Sequence, residues 1–308
     1  MKKYTITHIA AMVMLLWMAF LPKSVEAQVQ GLVHGKLPNG LTYYILHDNS
    51  NAGEVNFYLY QNVGAILEND KQHGLAHFLE HMAFCTTEHF PQGVMEYLRN
   101  HGLVFNAQTG INETRFQVNN VPTSDPQVTT SMLYLLKDWC NGIKIQPKDV
   151  EKEANIISEE WRQSRNVSKR LTESIAPAIY NSSDYATHNV IGNEGLIRHY
   201  TAKDIKAFYQ QWYRPELQCI AIIGDLQPEA YEKEVKRIFG AIPTSKKPIT
   251  RTNTVIAENE TPLYYRFIDK ENTSNSMGIY QRHEVSTDPS QRDVTGDQLK
   301  ARIFQKLT

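Results

Sequence analysis

The stretch HGLAHFLEHM, residues 73–82, determines how this 308-residue chain is interpreted, because it concentrates three of the chain's 11 histidines beside one glutamate. Within it, His77 and His81 are four residues apart and Glu80 lies between them. On a helix, side chains four apart share a face, with Cβ atoms about 5–6 Å apart, so two imidazoles can bind one zinc ion. We expect a helix over about residues 73–86 that presents such a pair.

His73 offers a second pair with His77, but it cannot join His81 at one metal. Residues eight apart on a helix are about 12 Å apart along its axis, whereas Zn–N bonds are about 2.0–2.1 Å. Glu80 favours the pair His77 and His81, because it projects toward the same side and can take a proton from water bound to the ion. We interpret His73 as a residue at the start of the helix or as a neighbour of the site.

The order His77-x-x-Glu80-His81 is that of the inverzincins, the reverse of the commoner H-E-x-x-H. Three fixed positions in five can also match by chance. The alternative is a pair of hydrogen-bonded core histidines on an amphipathic helix.

A zinc hydrolase site needs a third protein ligand and leaves the fourth position to water. The helical segment at residues 149–163 carries four carboxylates: Glu151, Glu153, Glu159 and Glu160. At 100° per residue, Glu153 and Glu160 lie within about 20° of each other, while Glu159 points away from Glu153. Carboxylates commonly orient metal-bound histidines from behind. We therefore predict Glu160 as the ligand and Glu153 as its support, the alternative being a solvated acidic face.

Strand and helix signals alternate along the rest of the chain, which favours an α+β or α/β architecture. Strands are indicated by β-branched and aromatic residues, and the Asn39–Gly40 pair is typical of a turn before the first of them. The predicted strands are 41–46, 54–61, 103–108, 113–121 and 217–225. The predicted helices are about 73–86, 90–102, 127–142, 148–165, 168–180 and 228–239, with one more after the Thr201 capping box.

The first 27 residues read as an export signal, with Lys2 and Lys3 before a short apolar stretch and a cleavage site at Ala27. That stretch is too short to span a bilayer, so we expect an exported, periplasmic or secreted protein with no transmembrane segment after signal removal. Residues 1–27 hold three lysines and one glutamate, so the remainder carries 29 basic and 32 acidic residues. This balance argues against nucleic acid as a partner.

The break in apolar periodicity at residues 242–254 predicts a domain boundary. We expect a metal-binding domain over 28–245, and over 246–308 a linker and the start of an incomplete second domain. Two strand-like runs, Tyr264–Ile268 and Met277–Tyr280, and a helix from Thr295 are expected in that second part.

The combination of GLAHFLEHMAF with VEKEANIISEEWRQ some 70 residues later resembles the pitrilysin/insulysin family of zinc peptidases. The resemblance covers roughly residues 32–245 and is closest to the large bacterial, periplasmic-type members. It implies an α+β fold, a mixed and mostly antiparallel sheet packed with helices, as in the metal domain of pitrilysin and mitochondrial processing peptidase. An incomplete second, related domain would follow.

The family resemblance also implies roles for individual residues. Zn²⁺ would be held by His77, His81 and Glu160, with Glu80 as general base and Glu153 as the acidic neighbour. The segment FNAQT resembles the family's edge strand, which implies that Asn106, Ala107, Gln108 and Thr109 line a cleft where a peptide or small-protein substrate adds as a strand. A second half, either a continuation of the chain or a partner subunit, would close the chamber.

Two other functions compete with a zinc endopeptidase. One is a non-catalytic or truncated member of the same fold that binds peptides or assembles with a partner. The other is a purely structural zinc site, which would need a fourth protein ligand. Cys85, four residues after His81, is the nearby candidate for that ligand.

Overall fold

The computed structural model describes residues 31–245, 249, 251 and 253–282. Six strands form one sheet in the order β1-β2-β6-β3-β5-β4. The strands are Leu32–Lys36 (β1), Thr42–His47 (β2), Glu54–Gln61 (β3), Val104–Thr109 (β4), Thr114–Pro122 (β5) and Gln218–Gly224 (β6). The helices in the same ranges are Leu75–Met82 (α1), Val94–Asn100 (α2), Pro126–Asn141 (α3), Pro147–Ser164 (α4), Val167–Ile179 (α5), Asp184–Thr187 (α6), Glu194–Ile197 (α7), Ala202–Trp212 (α8) and Pro228–Phe239 (α9).

The sheet is mixed and mostly antiparallel, which confirms the α+β prediction. Only the pairing of β2 with β6 is parallel among the strands described; the pairings β1–β2, β3–β5, β3–β6 and β4–β5 are antiparallel. The turn at Asn39–Gly40 forms as expected, with Gly40 at a φ of 98° that only glycine adopts readily. The side chain of Asn39 is buried and donates to the backbone oxygens of Phe239 and Ile242.

The core lies between one face of the sheet and the helices. Along β3 the buried residues alternate, with Val55, Phe57 and Leu59 facing the helices, as period-two patterning requires. Trp139 on α3 is fully buried, and its Nε1 donates to the backbone oxygen of Ala83, 2.9 Å away, at the end of α1. This bond ties the largest core residue to the helix that carries the paired histidines.

Helix α1 is shorter than the predicted span of 73–86. Gly74 has a φ of 100°, which starts the helix only at Leu75, and α1 ends at Met82. The loop that contains Gly192 packs on this start so closely that a Cβ on Gly192 would lie 2.4 Å from the Cα of Gly74. Two facing glycines therefore let the loop touch the backbone of α1 directly.

The strands predicted in the C-terminal part of the chain are not found. The runs Tyr264–Ile268 and Met277–Tyr280 are not strands, so that prediction is wrong: they pair with no strand in the described part of the chain, and Tyr264 and Met277 are almost fully exposed. Their β-branched and aromatic composition favours strands only where a neighbouring strand or core receives the side chains. Residues 1–27 and the helix expected from Thr295 lie outside the described residues. In the part that is described, no helix is long and apolar enough to cross a membrane.

Candidate active site

The structure brings the two predicted imidazoles and the predicted carboxylate together at the surface of α1 and α4. The Nε2 atoms of His77 and His81 lie 3.8 and 3.5 Å from Oε2 of Glu160. The two rings are nearly perpendicular, with centroids 4.8 Å apart. All three ligand atoms lie within 4.8 Å of one another.

These separations fit a zinc ion. Two ligand atoms, each about 2.1 Å from a tetrahedral ion, are about 3.4 Å apart, close to the observed 3.5 and 3.8 Å. The Glu160 side chain is 44% exposed, whereas those of His77 and His81 are 15% and 16% exposed. The open side lies toward solvent, so water can reach a fourth coordination position.

His81 is fixed by a second carboxylate on the opposite side of its ring. Its Nδ1 lies 3.0 Å from Oε2 of Glu153, a side chain only 8% exposed. Because a carboxylate only accepts, Nδ1 donates its proton and Nε2 presents its lone pair toward Glu160. Glu153 therefore has the geometry of the support predicted for it.

The two imidazoles respond differently to this environment. Burial, followed by the nearby His81, lowers the pKa of His77 to about 3, so its ring is neutral near pH 7. Burial also opposes the charged form of His81, but the Glu153 hydrogen bond and the Glu160 charge outweigh it and raise that pKa above its usual value. The carboxylates thus favour positive charge at the point where the three ligand atoms meet.

Glu80 lies near enough to His81 and Glu160 for its charge to interact with theirs, and β4 supplies its hydrogen-bond partner. Burial raises the pKa of Glu80, although the hydroxyl of Thr109, which donates to Glu80 Oε2, opposes the rise. A higher pKa makes this carboxylate a stronger base, as proton abstraction near pH 7 requires. Thr109 was expected to line a substrate cleft; in the structure its side chain is buried and its hydroxyl donates to the Glu80 carboxylate.

The remaining residues of the predicted cleft lie along β4, the edge of the sheet. Asn106 and Gln108 point to the exposed face, and Gln108 accepts a hydrogen bond from Arg115. Ala107 points toward the helices and is partly buried. The outer edge of β4 has no strand partner among the residues described, so it is free to pair with an extended chain.

Cys85 does not join the three ligand atoms. Its Sγ lies 3.5 Å from Oε1 of Glu153 and donates to the backbone oxygen of His81. Burial and the Glu153 charge raise the pKa of this thiol to about 12, which opposes thiolate ligation. A closed site with four protein ligands therefore receives no support from this geometry.

A second cluster, Glu88, His89 and Asp138, was not predicted from the sequence. Its groups already satisfy one another: Asp138 accepts from the Thr87 hydroxyl and lies 2.7 Å from His89 Nδ1, and Lys137 pairs with Glu88. The lysine ammonium supplies the positive charge there, so the arrangement resembles a structural network.

Glu68 is a further residue that sequence reasoning missed. It is 4% exposed, and its two carboxylate oxygens accept from the backbone N–H groups of Gly74 and Ala76 at the start of α1. Its position six residues before Gly74 matches no capping pattern, because capping residues usually lie within three positions of the helix start. No local sequence signal marks it.

Comparison with known protein families agrees with this geometry. Residues 43–190 match the family described as insulinase, peptidase family M16, and residues 199–291 match the peptidase M16 inactive domain. The chain belongs to peptidase family M16. The recognition made from the two motifs is thereby confirmed.

Among the M16 relatives is the Escherichia coli K12 protein named "Probable zinc protease PqqL", which is 30% identical over 261 residues. That alignment covers 83% of this chain and 28% of the relative. The crystal structure of the periplasmic protease PqqL from Escherichia coli matches with a TM-score of 0.68 at 28% identity, over 73% of this chain and 25% of that one. The chain thus spans between a quarter and a third of the length of these relatives.

A third match is the ferredoxin protease FusC, solved as an E83A mutant in complex with Arabidopsis ferredoxin. It aligns with a TM-score of 0.65 and 32% identity, over 71% of this chain and 25% of that one. Both solved relatives are described as proteases.

Proposed function

We propose that this chain is the metal-bearing part of a zinc-dependent endopeptidase, with His77, His81 and Glu160 as the ligands. The observation that carries the proposal is the convergence of two Nε2 atoms and one carboxylate oxygen at 3.5 and 3.8 Å. Glu80 is near enough to His81 and Glu160 for their charges to interact. The names of the M16 relatives, which are zinc proteases, support the same metal.

A zinc ion in this site would lower the pKa of a water molecule and polarise the scissile carbonyl. The side chains do the rest. Glu80 accepts the proton of the attacking water on a carboxylate oxygen and then donates it to the leaving amine. Thr109 fixes the carboxylate through its hydroxyl, and Glu153 keeps the His81 ring in the tautomer with a free Nε2.

The substrate is proposed to be an extended peptide or small protein that adds to the edge of β4. Main-chain pairing with residues 106–109 would recognise an extended backbone with little demand on its sequence. The free edge of β4 and its packing against α1, which carries Glu80, support this placement. FusC is described as a ferredoxin protease, so its substrate is also a protein.

Export to the periplasm is proposed from the N-terminal sequence and from the periplasmic location of PqqL. A second half, covalent or supplied by a partner, is proposed to close over the site, because the M16 relatives that match are much longer.

The test is a Glu80→Gln variant of the chain from Gln28 to Thr308, assayed on a fluorogenic peptide with and without a chelator. The parent should cleave and bind one equivalent of zinc, whereas the variant should lose turnover by about 10²–10⁴-fold and keep its zinc. Cleavage by the variant at the parent's rate would show that Glu80 is not the base. A parent that binds zinc and peptide but cleaves nothing would show that this part of the protein binds without catalysing, either because it is a non-catalytic subunit or because the second half is required.

A further inference from the structure

The two histidines of α1 are anchored unequally. His81 has the Glu153 carboxylate at Nδ1, whereas Nδ1 of His77 is buried and has no hydrogen-bond partner among the residues described. Nothing polar fixes the ring of His77 from behind. Its position therefore depends on the backbone that carries it, which is the first turn of α1.

That turn lacks the usual means of stabilisation. The residue before the helix is Gly74, which has no side chain to cap the free N–H groups, and α1 is only eight residues long. A helix start leaves four N–H groups without intrahelical partners, and buried groups of this kind need acceptors. Here the acceptors come from outside the helix.

Glu68 supplies two of them, and the backbone oxygen of Gln72 accepts from the N–H of Leu75. The Oε2 of Glu68 accepts from the N–H of Gly74 and its Oε1 from the N–H of Ala76, each at 2.8 Å. A carboxylate that bridges two amides fixes both the position and the rotation of the turn. Burial raises the pKa of the Glu68 carboxyl to about 8, although the N–H groups from which it accepts, like the positive end of the helix dipole, favour its charged form.

Glu68 is itself held by the segment after α6. The Nε2 of His188 lies 2.8 Å from the carbonyl oxygen of Glu68, which can only accept, so the ring donates there. On the other side of the turn, the hydroxyl of Tyr200 donates to the backbone oxygen of His73 at 3.0 Å. The first turn of α1 is thus fixed from two directions.

We propose that Glu68 is a positioning residue for the metal ligand His77, acting through the first turn of α1. The inference rests on the proposed function, since it assigns a purpose to His77 as a ligand. Displacing a ligand by a fraction of an ångström weakens coordination while the fold persists, and loss of such supporting contacts typically costs 10–100-fold in metal affinity.

The experiment measures zinc affinity by chelator competition on the chain from Gln28 to Thr308. Glu68→Gln, which keeps one acceptor oxygen, should raise the zinc Kd about 10-fold, and Glu68→Met, which keeps none, should approach 100-fold. Excess zinc should restore the turnover of Glu68→Gln. A Val235→Ala variant on α9, which loses buried apolar contact far from α1, is the stability control and should change the zinc Kd less than twofold.

The outcomes separate the two proposals. If His77→Ala loses zinc while both Glu68 variants bind it as the parent does, Glu68 has no positioning role and this inference is overturned. If His77→Ala binds zinc like the parent, the metal site itself is wrongly assigned. Should Glu68→Met fail to fold, Glu68→Gln and Tyr200→Phe decide the matter, because each weakens the hold on the same turn; parent-like zinc affinity in both overturns the inference.

Discussion

Replacing Glu153 by glutamine tests whether the contact behind His81 contributes to metal binding. The amide can still accept the Nδ1 proton of His81, so the hydrogen bond survives in shape and only its charge is lost. Hydrogen bonds to charged groups contribute about 1.5–3 kcal/mol and neutral ones about 1 kcal/mol, so the expected loss is about 0.5–2 kcal/mol. This corresponds to a rise of about 2- to 30-fold in the zinc Kd, because 1.4 kcal/mol is a factor of ten.

The structure supports the upper part of this range. The Glu153 side chain is only 8% exposed, so solvent screens its contact with His81 weakly. Lys152 lies 3.3 Å from the other oxygen of Glu153, but its own side chain is 68% exposed and it can turn to solvent. Loss of the Glu153 charge should therefore affect the His81 imidazole more than Lys152.

The assay is chelator competition with Glu159→Gln as the matched control. Glu159 lies on the same helix, but it is half exposed and pairs with Arg162 at 2.6 Å, away from the imidazoles. The Glu159→Gln variant should have the same zinc Kd as the parent. Equal zinc affinities in the two glutamine variants would refute the reasoning, since the charge of Glu153 would then be as irrelevant to the metal as that of a surface residue.

Two further outcomes are expected. Thr109→Val keeps the volume of the side chain but removes the hydroxyl that donates to Glu80. The value of kcat/KM in a peptide assay should therefore fall about 10- to 100-fold, while metal analysis should show unchanged zinc content. A parent-like rate would mean that Glu80 needs no hydrogen bond from Thr109. Burial raises the pKa of the free Cys219 thiol to about 11. Its alkylation by iodoacetamide, measured by mass spectrometry, should therefore be slow at pH 8 and accelerate only as the pH approaches 11. Rapid labelling at pH 8 would contradict the buried environment.

The sequence predicted those strands and helices whose own residues carry the pattern or the end signals of the element. The strand expected at 54–61 is β3 without a shift, and the helix expected at 228–239 is α9, because Pro228 begins it and Gly240 follows it. The strand β1 was not predicted: it is short, contains Gly35, and depends on pairing with β2. Its existence is a property of the sheet rather than of its own five residues.

The residues of the candidate site likewise include some that local spacing predicts and others that depend on the tertiary fold. The relation of His77, Glu80 and His81 follows from one helical repeat, so spacing alone could predict it. The part played by Glu68 could not be predicted, since its carboxylate reaches the amides of Gly74 and Ala76 only through the path of an irregular loop. Thr109 was found, but its orientation was not, because the face of a strand that meets α1 depends on the register of the whole sheet.

Which of the two α4 carboxylates, Glu153 or Glu160, faces the proposed metal site can be seen only from the packing of α4 against α1. Both lie on one face of the helix, about 10 Å apart along its axis, so the angular argument selects the pair but not the ligand. The contacts run in opposite directions along the two helices: Glu160 meets His77 and His81, while Glu153 meets His81 and then Cys85.

This order means that α1 and α4 pack antiparallel, and the antiparallel packing places the His81 ring between the two carboxylates. Glu160 then faces Nε2, where a metal can bind, and Glu153 faces Nδ1, where only a proton fits. In a parallel pair the same spacings would bring Glu153 toward His77 and Glu160 toward Cys85, so the two carboxylates would exchange places around the His81 ring. The direction of packing, which no segment of the sequence encodes by itself, is therefore what distinguishes the proposed ligand from its proposed support.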